Sequence, residues 1–443
     1  MARQRRLSLD VFSNGRKVGV YIRAADGRIV FQYDDDWLVR ADPIPVSLSL
    51  PLQERPYVGA PVSAVFENLL PDNDKIRQTI AERYGAQGTD AFSLLAEIGR
   101  DCVGALQFIP TGETAPDVRR IEAEPVTDAM VAAQLKGLAQ APLGLDPEAD
   151  FRISIAGAQE KTAFLKLGDK WQRPKGATPT THIMKPPIGP LPNGIDMTKS
   201  VENEWLCMTL ARELGLPVAN TEIADFDGVR ALVVERFDRQ WARDRSWIIR
   251  RPQEDLLQAL GYPPTQKYEN ERGPGINKIM DLLKASDQSK EDRLIFLRAQ
   301  VVFWLMGAID GHAKNFSIFL APGGSFRLTP LYDIMSVDPA IAMGQLSYGQ
   351  AKLAMAVGDH RHYRLDEIVL RHWQQTAKRC DVNSNAANDL FEDITDSVDR
   401  AVEQTANQIP EKFPGDISGP ILESVRQRAR WLRSLQLEIN KLE

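Results

Sequence analysis

The chain has 443 residues, 43% of them apolar, which is enough for two or three domains that each bury a core. It carries 54 Lys and Arg against 60 Asp and Glu, a formal net charge of −6, so it lacks the basic surface that non-specific nucleic-acid binding needs. Its three cysteines are far apart and have no C-x-x-C spacing. They indicate neither a disulfide framework nor a zinc site, but buried thiols in a reducing compartment.

No targeting or membrane segment is expected. The first six residues are basic and run directly into alternating strand residues, without the apolar stretch of a secretory signal. The longest apolar run, Val301 to Ile309, is far shorter than the ~20 residues that span a bilayer. We therefore expect a soluble cytoplasmic protein that has no membrane contact.

Residues 1–110 are predicted to form an α/β domain of their own. Apolar and polar residues alternate up to Phe31 and are punctuated by Asn14-Gly15 and Asp26-Gly27, which predicts a β-meander. Two helices follow, one after Asp72 to about Tyr84 and one from Asp90 to Glu97. Residues 111–149 are polar and rich in proline, and are interpreted as a linker with a short helix over 127–138.

The next elements have the order found in the small lobe of protein kinases. They are a strand over 151–155, a turn of small residues, a strand over 161–167, a short strand over 181–185, a helix over 201–214 capped by Ser200, and strands over 221–226 and 229–235. After Asp238 strands become rare and helical patterns dominate, as in a large lobe. The predicted fold class is α+β: an N-terminal α/β domain joined to a two-lobed protein-kinase-like fold, with a β-rich small lobe over 150–238 and a mainly helical large lobe over 239–443.

The stretch Asp310-Gly-His-Ala-Lys-Asn315, followed by Asp333, carries the chemistry. Phosphoryl transfer needs an acceptor for the substrate proton, a neutral oxygen ligand for Mg²⁺ and a carboxylate on the metal, and these three residues supply them. The Asp-to-Asn spacing is that of the kinase catalytic loop, although Ala308 and Ile309 replace the usual His and Arg.

A β-hairpin is predicted between Asn315 and Asp333, and its two ends would lie close together. Its strands are Phe316 to Leu320 and Phe326 to Thr329, separated by the turn signal Ala-Pro-Gly-Gly. It would bring Asp333 beside Asn315. The alternative is that these Asp and Asn side chains only satisfy turn backbone.

Lys185 is the candidate ligand of the nucleotide α- and β-phosphates, held by a carboxylate on the following helix. Glu202 and Glu204 point about 200° apart on a helix, so one of them is expected to face inward. Glu204 shares its face with small and apolar residues and is favoured. The alternative for Lys185 is an ordinary surface lysine on a strand.

Other nucleotide contacts are expected in three places. Ser154, Ile155, Ala156, Gly157, Ala158 and Gln159 lie where a phosphate-covering loop belongs, although one glycine makes this a weak motif and a plain hairpin turn is the alternative. The backbone of Glu235, Arg236 and Phe237 is expected to contact adenine, unless the segment is only a solvated connector. His312 and Lys314 belong to the catalytic loop and are included among the nucleotide-binding residues. His312 is expected to order that loop by hydrogen bonding rather than to bind metal.

The chain resembles the HipA toxins of bacterial toxin–antitoxin modules. The resemblance rests on Phe66-Glu-Asn-Leu-Leu-Pro-Asp72, Glu97-Ile-Gly-Arg100, Ser154-Ile-Ala-Gly-Ala-Gln-Glu-Lys161, Thr181-His-Ile-Met-Lys185, Glu235-Arg-Phe-Asp-Arg239, Asp310-Gly-His-Ala-Lys-Asn315 and Leu353-Ala-Met355. It extends over nearly the whole chain. The chain departs from the family at 267–275, where Arg272 replaces one glycine of a Gly-Gly pair, and at 341–363.

The resemblance implies a Ser/Thr protein kinase that uses ATP and Mg²⁺, slows growth and favours persistence. By the same resemblance Asp310 is the catalytic base, Asn315 and Asp333 hold Mg²⁺, Lys185 binds ATP, and Ser154 is the site of autophosphorylation. Family members phosphorylate glutamyl-tRNA synthetase. They are held by HipB, a helix-turn-helix antitoxin that represses the operon, so operator DNA is expected to be contacted mainly through the antitoxin.

Two alternatives use the same residues differently. A lipid or small-molecule kinase on this fold would keep every catalytic residue named, and a substrate screen would identify it. A non-catalytic co-repressor would hydrolyse no ATP, and Asp310→Asn would leave its phenotype unchanged.

Overall fold

The computed structural model describes residues 7–145 and 152–439. Contacts divide the chain into two compact units, which are described separately. The first comprises Met1–Pro186, Ala224–Thr265 and Ser317–Phe326; the second comprises Pro187–Ile223, Gln266–Phe316 and Arg327–Glu443. The residues predicted to bind phosphate and adenine lie mostly in the first unit, whereas the predicted catalytic loop and Asp333 lie in the second.

An antiparallel sheet forms the N-terminal part of the first unit. Its strands are β1 (Leu7–Ser13), β2 (Arg16–Arg23), β3 (Ile29–Tyr33), β4 (Tyr57–Val58) and β5 (Leu106–Pro110), in the order β4-β3-β2-β1-β5. The predicted meander is confirmed by the pairing of β1 with β2 and of β2 with β3. At the first turn Asn14 and Gly15 both have positive φ, the backbone that a tight hairpin needs.

Helices cover this sheet. They are α1 (Asp35–Leu38), α2 (Ala60–Glu67), α3 (Asp74–Tyr84) and α4 (Ala91–Ile98). Asn73 caps α3 by accepting hydrogen bonds from Lys75 and Ile76, and Asp90 caps α4 through the N–H of Ser93. The core between sheet and helices contains the rings of Tyr21, Phe66 and Phe108.

The middle of the chain contributes a second, six-stranded sheet. The elements are α5 (Asp128–Lys136), α6 (Ser200–Glu213), β6 (Ala123–Pro125), β7 (Thr162–Leu167), β8 (Lys170–Pro174), β9 (His182–Lys185), β10 (Gly189–Pro190), β11 (Asp196–Met197), β12 (Thr221–Phe226) and β13 (Val229–Glu235). The sheet has the order β12-β13-β9-β7-β8-β6. Helix α5 packs on it, with Val131 against the buried Phe164, Met184 and Val233.

Three local predictions in this region are wrong. Phe151 lies outside the described residues, and 152–155 form no strand, so β7 pairs with β8 instead. The segment interpreted as a linker contains β6, which pairs with β8. Ser200 does not cap α6, because it is the first helical residue and its hydroxyl accepts a hydrogen bond from the N–H of Ile188.

The remaining elements contain more strands than the sequence suggests. They are β14 (Arg239–Trp241), β15 (Ile248–Arg250), β16 (Gln253–Asp255), β17 (Ser317–Leu320), β18 (Phe326–Leu328), β19 (Lys352–Val357) and β20 (His362–Arg364), with α7 (Leu256–Leu260), α8 (Ile276–Leu282), α9 (Ser289–Met306), α10 (Asp338–Ala342), α11 (Leu370–Arg379), α12 (Ser384–Gln408) and α13 (Gly415–Ile439). Strands after Asp238 are therefore not rare. The hairpin predicted before Asp333 is present as β17 and β18, which pair with each other.

Long helices form the second unit. Helix α13 packs against α9 and α12, and α12 also packs against α6. Within residues 7–145 and 152–439, no helix combines the length and apolar composition that crossing a bilayer requires.

Candidate active site

Helix α9 delivers the chain to the predicted catalytic loop. Its residues from Phe296 to Met306 are almost all buried, so packing fixes the helix. It ends at Gly307, which has a left-handed φ of +61° and where a Cβ atom would lie 2.9 Å from both carboxylate oxygens of Asp338. Glycine is therefore required at this position, which caps the helix three residues before Asp310.

A buried ion pair supports this helix end. Arg428 on α13 donates to both oxygens of Asp338, at 2.6 and 2.9 Å, and also donates to the carbonyl of Leu305 at 2.8 Å. Both side chains are almost fully shielded from solvent. The bidentate geometry holds the last turn of α9 at a fixed distance from α13.

The loop after α9 is closed on itself by hydrogen bonds. The carbonyl of Asp310 accepts from the His312 N–H and from the side-chain amide of Asn315, both at 2.8 Å. The N–H of Asn315 donates to the carbonyl of His312 at 2.9 Å. The side chain of Asp310 is 55% exposed, so it is fixed at its backbone and open to a substrate at its carboxylate.

Asp333 is brought back to this loop. The hydroxyl of Tyr332 donates to the carbonyl of Lys314 at 3.2 Å, and Leu331 is paired with Val218 in a parallel bridge. Asp333 itself has a positive φ of +61°, an uncommon conformation for a residue with a Cβ. The residue before Asp333 is therefore bonded to the loop, and the carboxylates of Asp310 and Asp333 both act electrostatically on the His312 imidazole.

His312 is a buried, neutral residue of the loop. Burial lowers the pKa of its imidazole, and the positive charge of Lys267 acts in the same direction, while Asp310 and Asp333 oppose it. Among the described residues, its Nδ1 meets no hydrogen-bond partner. The hydrogen bonds by which His312 orders the loop are therefore made by its backbone N–H and carbonyl and not by Nδ1.

Lys185 lies at the end of β9, paired with Leu232 of the neighbouring β13. It is only 8% exposed, so the alternative of an ordinary surface lysine is wrong. The argument that chose between the two glutamates also fails, because Glu202 and Glu204 are both buried, at 4% and 2% exposure. Nearly every residue of α6 is buried, so facing inward does not separate the two. The choice of Glu204 stays a prediction.

The segment around Ser154 is folded against the N-terminal domain. Ser154 is fully buried; its hydroxyl donates to the carbonyl of Leu69 at 2.7 Å, and its N–H donates to the carbonyl of Asp101 at 3.0 Å. Ile153 and Ile155 belong to the core of that domain. Their alternation with Ser154, which suggested a strand, therefore reflects two side chains that enter the N-terminal core.

The following turn is held in the same way. The carbonyl of Gly157 accepts from the N–H of Asp72 at 3.2 Å, and the carbonyl of Ala156 accepts from Nζ of Lys161 at 2.9 Å. Gly157 has a φ of +107°, and a Cβ there would lie 2.5 Å from Nζ of Lys161. Gln159 donates to the carbonyl of Pro186 at 3.1 Å, while Ala158 is exposed.

The segment 235–239 has a structural role that the sequence did not reveal. The N–H of Arg236 donates to the carbonyl of Thr181 at 2.9 Å, so this one group is already bonded within the protein, and the adenine contact of the segment stays a prediction. The Arg236 guanidinium is buried and donates to Asp238 and to Thr180. The connector is therefore not simply solvated.

Asp101 completes this buried ion cluster, which we define as Asp101, Asp238, Arg236, Arg239 and Arg250. Burial alone would raise the pKa of Asp101, but the three arginines outweigh it and hold the pKa well below its ordinary value. The same balance lowers the pKa of Asp238. Both carboxylates are thus charged, and the cluster joins residues of β14 and β15 to Asp101 in the loop after α4.

Sequence reasoning missed two residues near the predicted chemistry. Tyr268 donates a hydrogen bond of 2.5 Å from its hydroxyl to Oδ1 of Asp310. Lys161 is only 6% exposed and bonds the turn carbonyl of Ala156. Tyr268 lies in the segment 267–275, which stood out because Arg272 replaces a glycine there. Lys161 is the last residue of the motif that begins at Ser154. The sequence signal for each residue was therefore its place in a segment already noted.

Two protein families match the chain. Residues 9–109 match the HipA N-terminal domain, and residues 153–402 match the HipA-like C-terminal domain. Putative kinase Y4mE of Sinorhizobium fredii is 34% identical over 89% of this chain and 90% of its own length. Serine/threonine-protein kinase toxin HipA of Shewanella oneidensis is 30% identical over 74% of this chain and 73% of its own length.

A solved structure has the same fold. It is the complex of Shewanella oneidensis MR-1 HipA and HipB with operator DNA, and its matching chain superposes with a TM-score of 0.79. The match covers 96% of this chain and 97% of that chain at 24% identity. The predicted fold class, a sheet-rich N-terminal part joined to a kinase-like fold, is confirmed by this likeness.

Proposed function

Since the chain belongs to the HipA family, we propose that it is an ATP-dependent serine/threonine protein kinase. It would transfer the γ-phosphoryl group of ATP to a hydroxyl of a protein substrate. The observation that carries the proposal is the closed loop from Asp310 to Asn315, with the exposed carboxylate of Asp310 at its start and with Tyr332, the residue before Asp333, bonded to it. Relatives over most of the chain are named as kinases.

Asp310 is proposed as the base. As the acceptor oxygen bonds to the γ-phosphorus and the bond to the β-phosphate oxygen breaks, the acceptor proton passes to the Asp310 carboxylate and ADP leaves. An exposed carboxylate on a fixed backbone suits this role, because its position is defined while an incoming hydroxyl still has access. His312 does not compete for the role, because its side chain is buried and an incoming hydroxyl has no access to it.

Asn315 and Asp333 are proposed to hold Mg²⁺. The donor set fits, because Mg²⁺ prefers hard oxygen ligands and commonly uses one or two carboxylates together with substrate phosphate. The amide nitrogen of Asn315 is bound to the carbonyl of Asp310, which leaves its oxygen as the metal ligand. When bound, the metal would neutralise charge on the transferring phosphoryl group. In the described part of the chain, no three His, Cys, Asp or Glu side chains converge to form a protein-only metal site.

Nucleotide binding is proposed for Lys185 and for the segment from Ser154 to Gln159. The low exposure of Lys185 supports a bound rather than a solvated ammonium group. With the N–H of Arg236 bonded to Thr181, the adenine contact is proposed for Glu235 and Phe237. Lys314, buried in the catalytic loop, is retained as a phosphate contact, and Glu204 as the residue that orients Lys185.

The test of the kinase proposal is transfer of ³²P from labelled ATP to protein. Asp310→Asn should lose about 10²–10⁴ in rate, the contribution of a positioned base, while calorimetry shows that it still binds ATP. Full transfer by this variant would contradict the assignment of the base. Label that appears only in lipid or in a small molecule would indicate a different class of kinase.

Ser154 is proposed as the autophosphorylation site and as an inhibitory switch. A phosphate adds about −1.5 to −2 charges and needs solvent or cations, neither of which the buried Leu69 carbonyl provides. Phosphorylation therefore requires the segment to leave its place, which would dismantle the proposed phosphate contacts. Mixing active enzyme with Asp310→Asn protein, mapping the phosphosite and measuring ATP affinity tests this. Phosphorylated Ser154 with unchanged ATP affinity and turnover would refute the switch.

We further propose that the chain is the toxin of a toxin–antitoxin pair that slows growth and favours persistence. Its partners would be a HipB-like helix-turn-helix antitoxin and, through it, operator DNA; the HipA of Shewanella oneidensis is found in such a complex. With a net charge of −6 the chain alone has little counterion release to draw on. Tight, operator-specific gel shifts by the isolated chain would contradict this. Phosphoproteomics on expressing cells, with glutamyl-tRNA synthetase as first candidate, would test the substrate.

A further inference from the structure

Tyr268 contacts the catalytic loop at the exposed carboxylate of Asp310. Its hydroxyl donates to Oδ1 of Asp310 at 2.5 Å, a short bond of the kind formed between a hydroxyl and a charged acceptor. The terminal torsion of an Asp side chain is broad, and more than half of this side chain is exposed. A donor on Oδ1 therefore fixes an orientation that solvent would otherwise leave undefined.

The Tyr268 ring is itself held in place. It packs edge-on against the buried ring of His312, with centroids 5.0 Å apart. Nε2 of His312 lies 3.9 Å from Oδ1 of Asp310, beyond hydrogen-bonding distance. His312 thus serves as a packing surface, and Tyr268 supplies the hydrogen bond to the carboxylate.

The backbone around Tyr268 is anchored on both sides. The Tyr268 carbonyl accepts from the N–H groups of Glu271 and Gly273, at 3.0 and 2.9 Å. The next residue, Glu269, accepts from the N–H of Ala356 at 2.6 Å and pairs with Arg361 at 3.2 Å. A turn with four such contacts holds Tyr268 in a fixed position, so we do not expect it to move away when substrate binds.

We propose that Tyr268 is a positioning residue for phosphoryl transfer: it holds Oδ1 of Asp310 so that Oδ2 receives the proton of the acceptor hydroxyl. One donor on Oδ1 leaves the lone pairs of Oδ2 for this task. The inference rests on the proposed kinase function. It adds a residue to the site that works through Asp310 and touches neither nucleotide nor metal.

Tyr268→Phe removes the hydroxyl and keeps the ring against His312. We expect kcat for ³²P transfer to fall roughly 10-fold to 100-fold, because the base is present but poorly oriented, while the affinity for ATP measured by calorimetry stays unchanged. In the Asp310→Asn background the same substitution should produce no further loss, since the oriented group is already gone. If Tyr268 only stabilised the fold, the rate losses of Tyr268→Phe and Asp310→Asn would multiply in the double variant.

The matched control is Tyr57→Phe, which deletes a hydroxyl that donates to the carbonyl of Pro51 at 2.6 Å. It should keep wild-type kcat, and both variants should keep the wild-type melting temperature. Unchanged transfer by Tyr268→Phe would overturn the inference while leaving the kinase function intact. Increased transfer would also overturn it, because Tyr268 would then block the base. A wild-type chain without Asp310-dependent transfer would overturn the proposed function, and this inference with it.

Discussion

The side-chain amide of Asn315 donates a hydrogen bond of 2.8 Å to the backbone carbonyl of Asp310, so the proposed metal ligand and the proposed base are joined directly. The bond spans one short turn whose other bonds are made by backbone groups. It orients both ends of the Asn315 amide at once. A residue at this position must therefore donate on one side and accept on the other.

Asn315→Asp is the substitution that separates these two requirements. The carboxylate retains a metal-binding oxygen but has no donor for the Asp310 carbonyl, and two acceptors would then face each other. We expect loss of a hydrogen bond worth about 0.5–1.5 kcal/mol plus the penalty of an unpaired acceptor, and at least a 10-fold fall in transfer rate. Transfer assays over a Mg²⁺ titration measure it. If excess Mg²⁺ restored the full rate, the bond to Asp310 would not matter.

The buried ion cluster predicts a large loss of stability for Asp101→Asn. The change leaves Arg236, Arg239 and Arg250 with Asp238 as their remaining carboxylate, and breaking a buried pair in this way costs about 3–5 kcal/mol. Because the folded pKa of Asp101 is lowered, its stabilisation is present above the ordinary pKa of 3.8 and is lost as the pH falls through the folded pKa. Urea denaturation as a function of pH measures both effects.

The control for Asp101→Asn is Asp26→Asn, which breaks an exposed ion pair with Arg28. Exposed pairs contribute little to stability because solvent and salt screen them, so this variant should unfold almost as the wild type does. Equal midpoints for the two variants would mean that the cluster contributes no more than a surface pair.

From the raised pKa of Glu254 we expect a dependence of the unfolding free energy on pH that has the opposite sign to that of Asp101. Glu254 is fully buried on β16, where burial raises its pKa from 4.5 to about 8, and its Oε1 accepts from the N–H of Leu48 at 2.8 Å. The folded protein keeps this proton while the unfolded chain releases it. The stabilisation is therefore complete below 4.5 and is lost as the pH rises toward 8, at up to about 1.4 kcal/mol per pH unit.

Glu254→Gln tests this, because the amide keeps the acceptor for Leu48 and has no proton to lose. The difference in unfolding free energy, variant minus wild type, should grow as the pH rises from 4.5 to about 8. Chemical denaturation at several pH values measures that difference. A constant difference would show that Glu254 is already ionised in the folded protein.

Arg272 is predicted to be a suboptimal residue. It has a φ of +72° at the end of the turn Glu269–Glu271, and it stands where the resemblance places a glycine. A left-handed conformation costs a residue with a Cβ about 1–2 kcal/mol, partly offset by the greater freedom of glycine in the unfolded chain. Arg272→Gly should therefore stabilise the protein by roughly 0.5–1 kcal/mol. Arg272→Ala keeps the Cβ and should not; an equal gain from both would assign the effect to lost charge.

The sequence predicted elements whose signals are local. The strands predicted over 221–226 and 229–235 are β12 and β13 with the same ends, and the helix predicted after Asp72 is α3. Asp310 and Asn315 were proposed from a signal of the same kind, because they are only five positions apart. Where the partners of a residue are near it in the sequence, the local sequence pattern is enough to predict the structure.

Residues with distant partners were misinterpreted or missed. Ser154 bonds the carbonyl of Leu69, 85 positions away, so its apolar neighbours suggested a strand that does not form. Tyr268 is 42 positions from Asp310, and although its segment stood out in the sequence, nothing there indicated this partner. The same holds for Arg236, whose partner Asp101 is 135 positions away. Helix α6 is buried on all sides because of tertiary packing, and for that reason the sequence argument did not separate Glu202 from Glu204.

The buried ion cluster also limits how such a chain can be recombined. Asp101 falls within the 9–109 match and the three arginines fall within 153–402, so a cut between the two segments separates an acid from its bases. A fragment starting at residue 111 would keep three guanidinium groups and a single carboxylate in the part of the cluster it retains. A chimaera that exchanged N-terminal segments between relatives would preserve charge balance only if the donor brought an acid at this position. The charge of this cluster is thus set jointly by one residue of the N-terminal segment and four of the C-terminal segment.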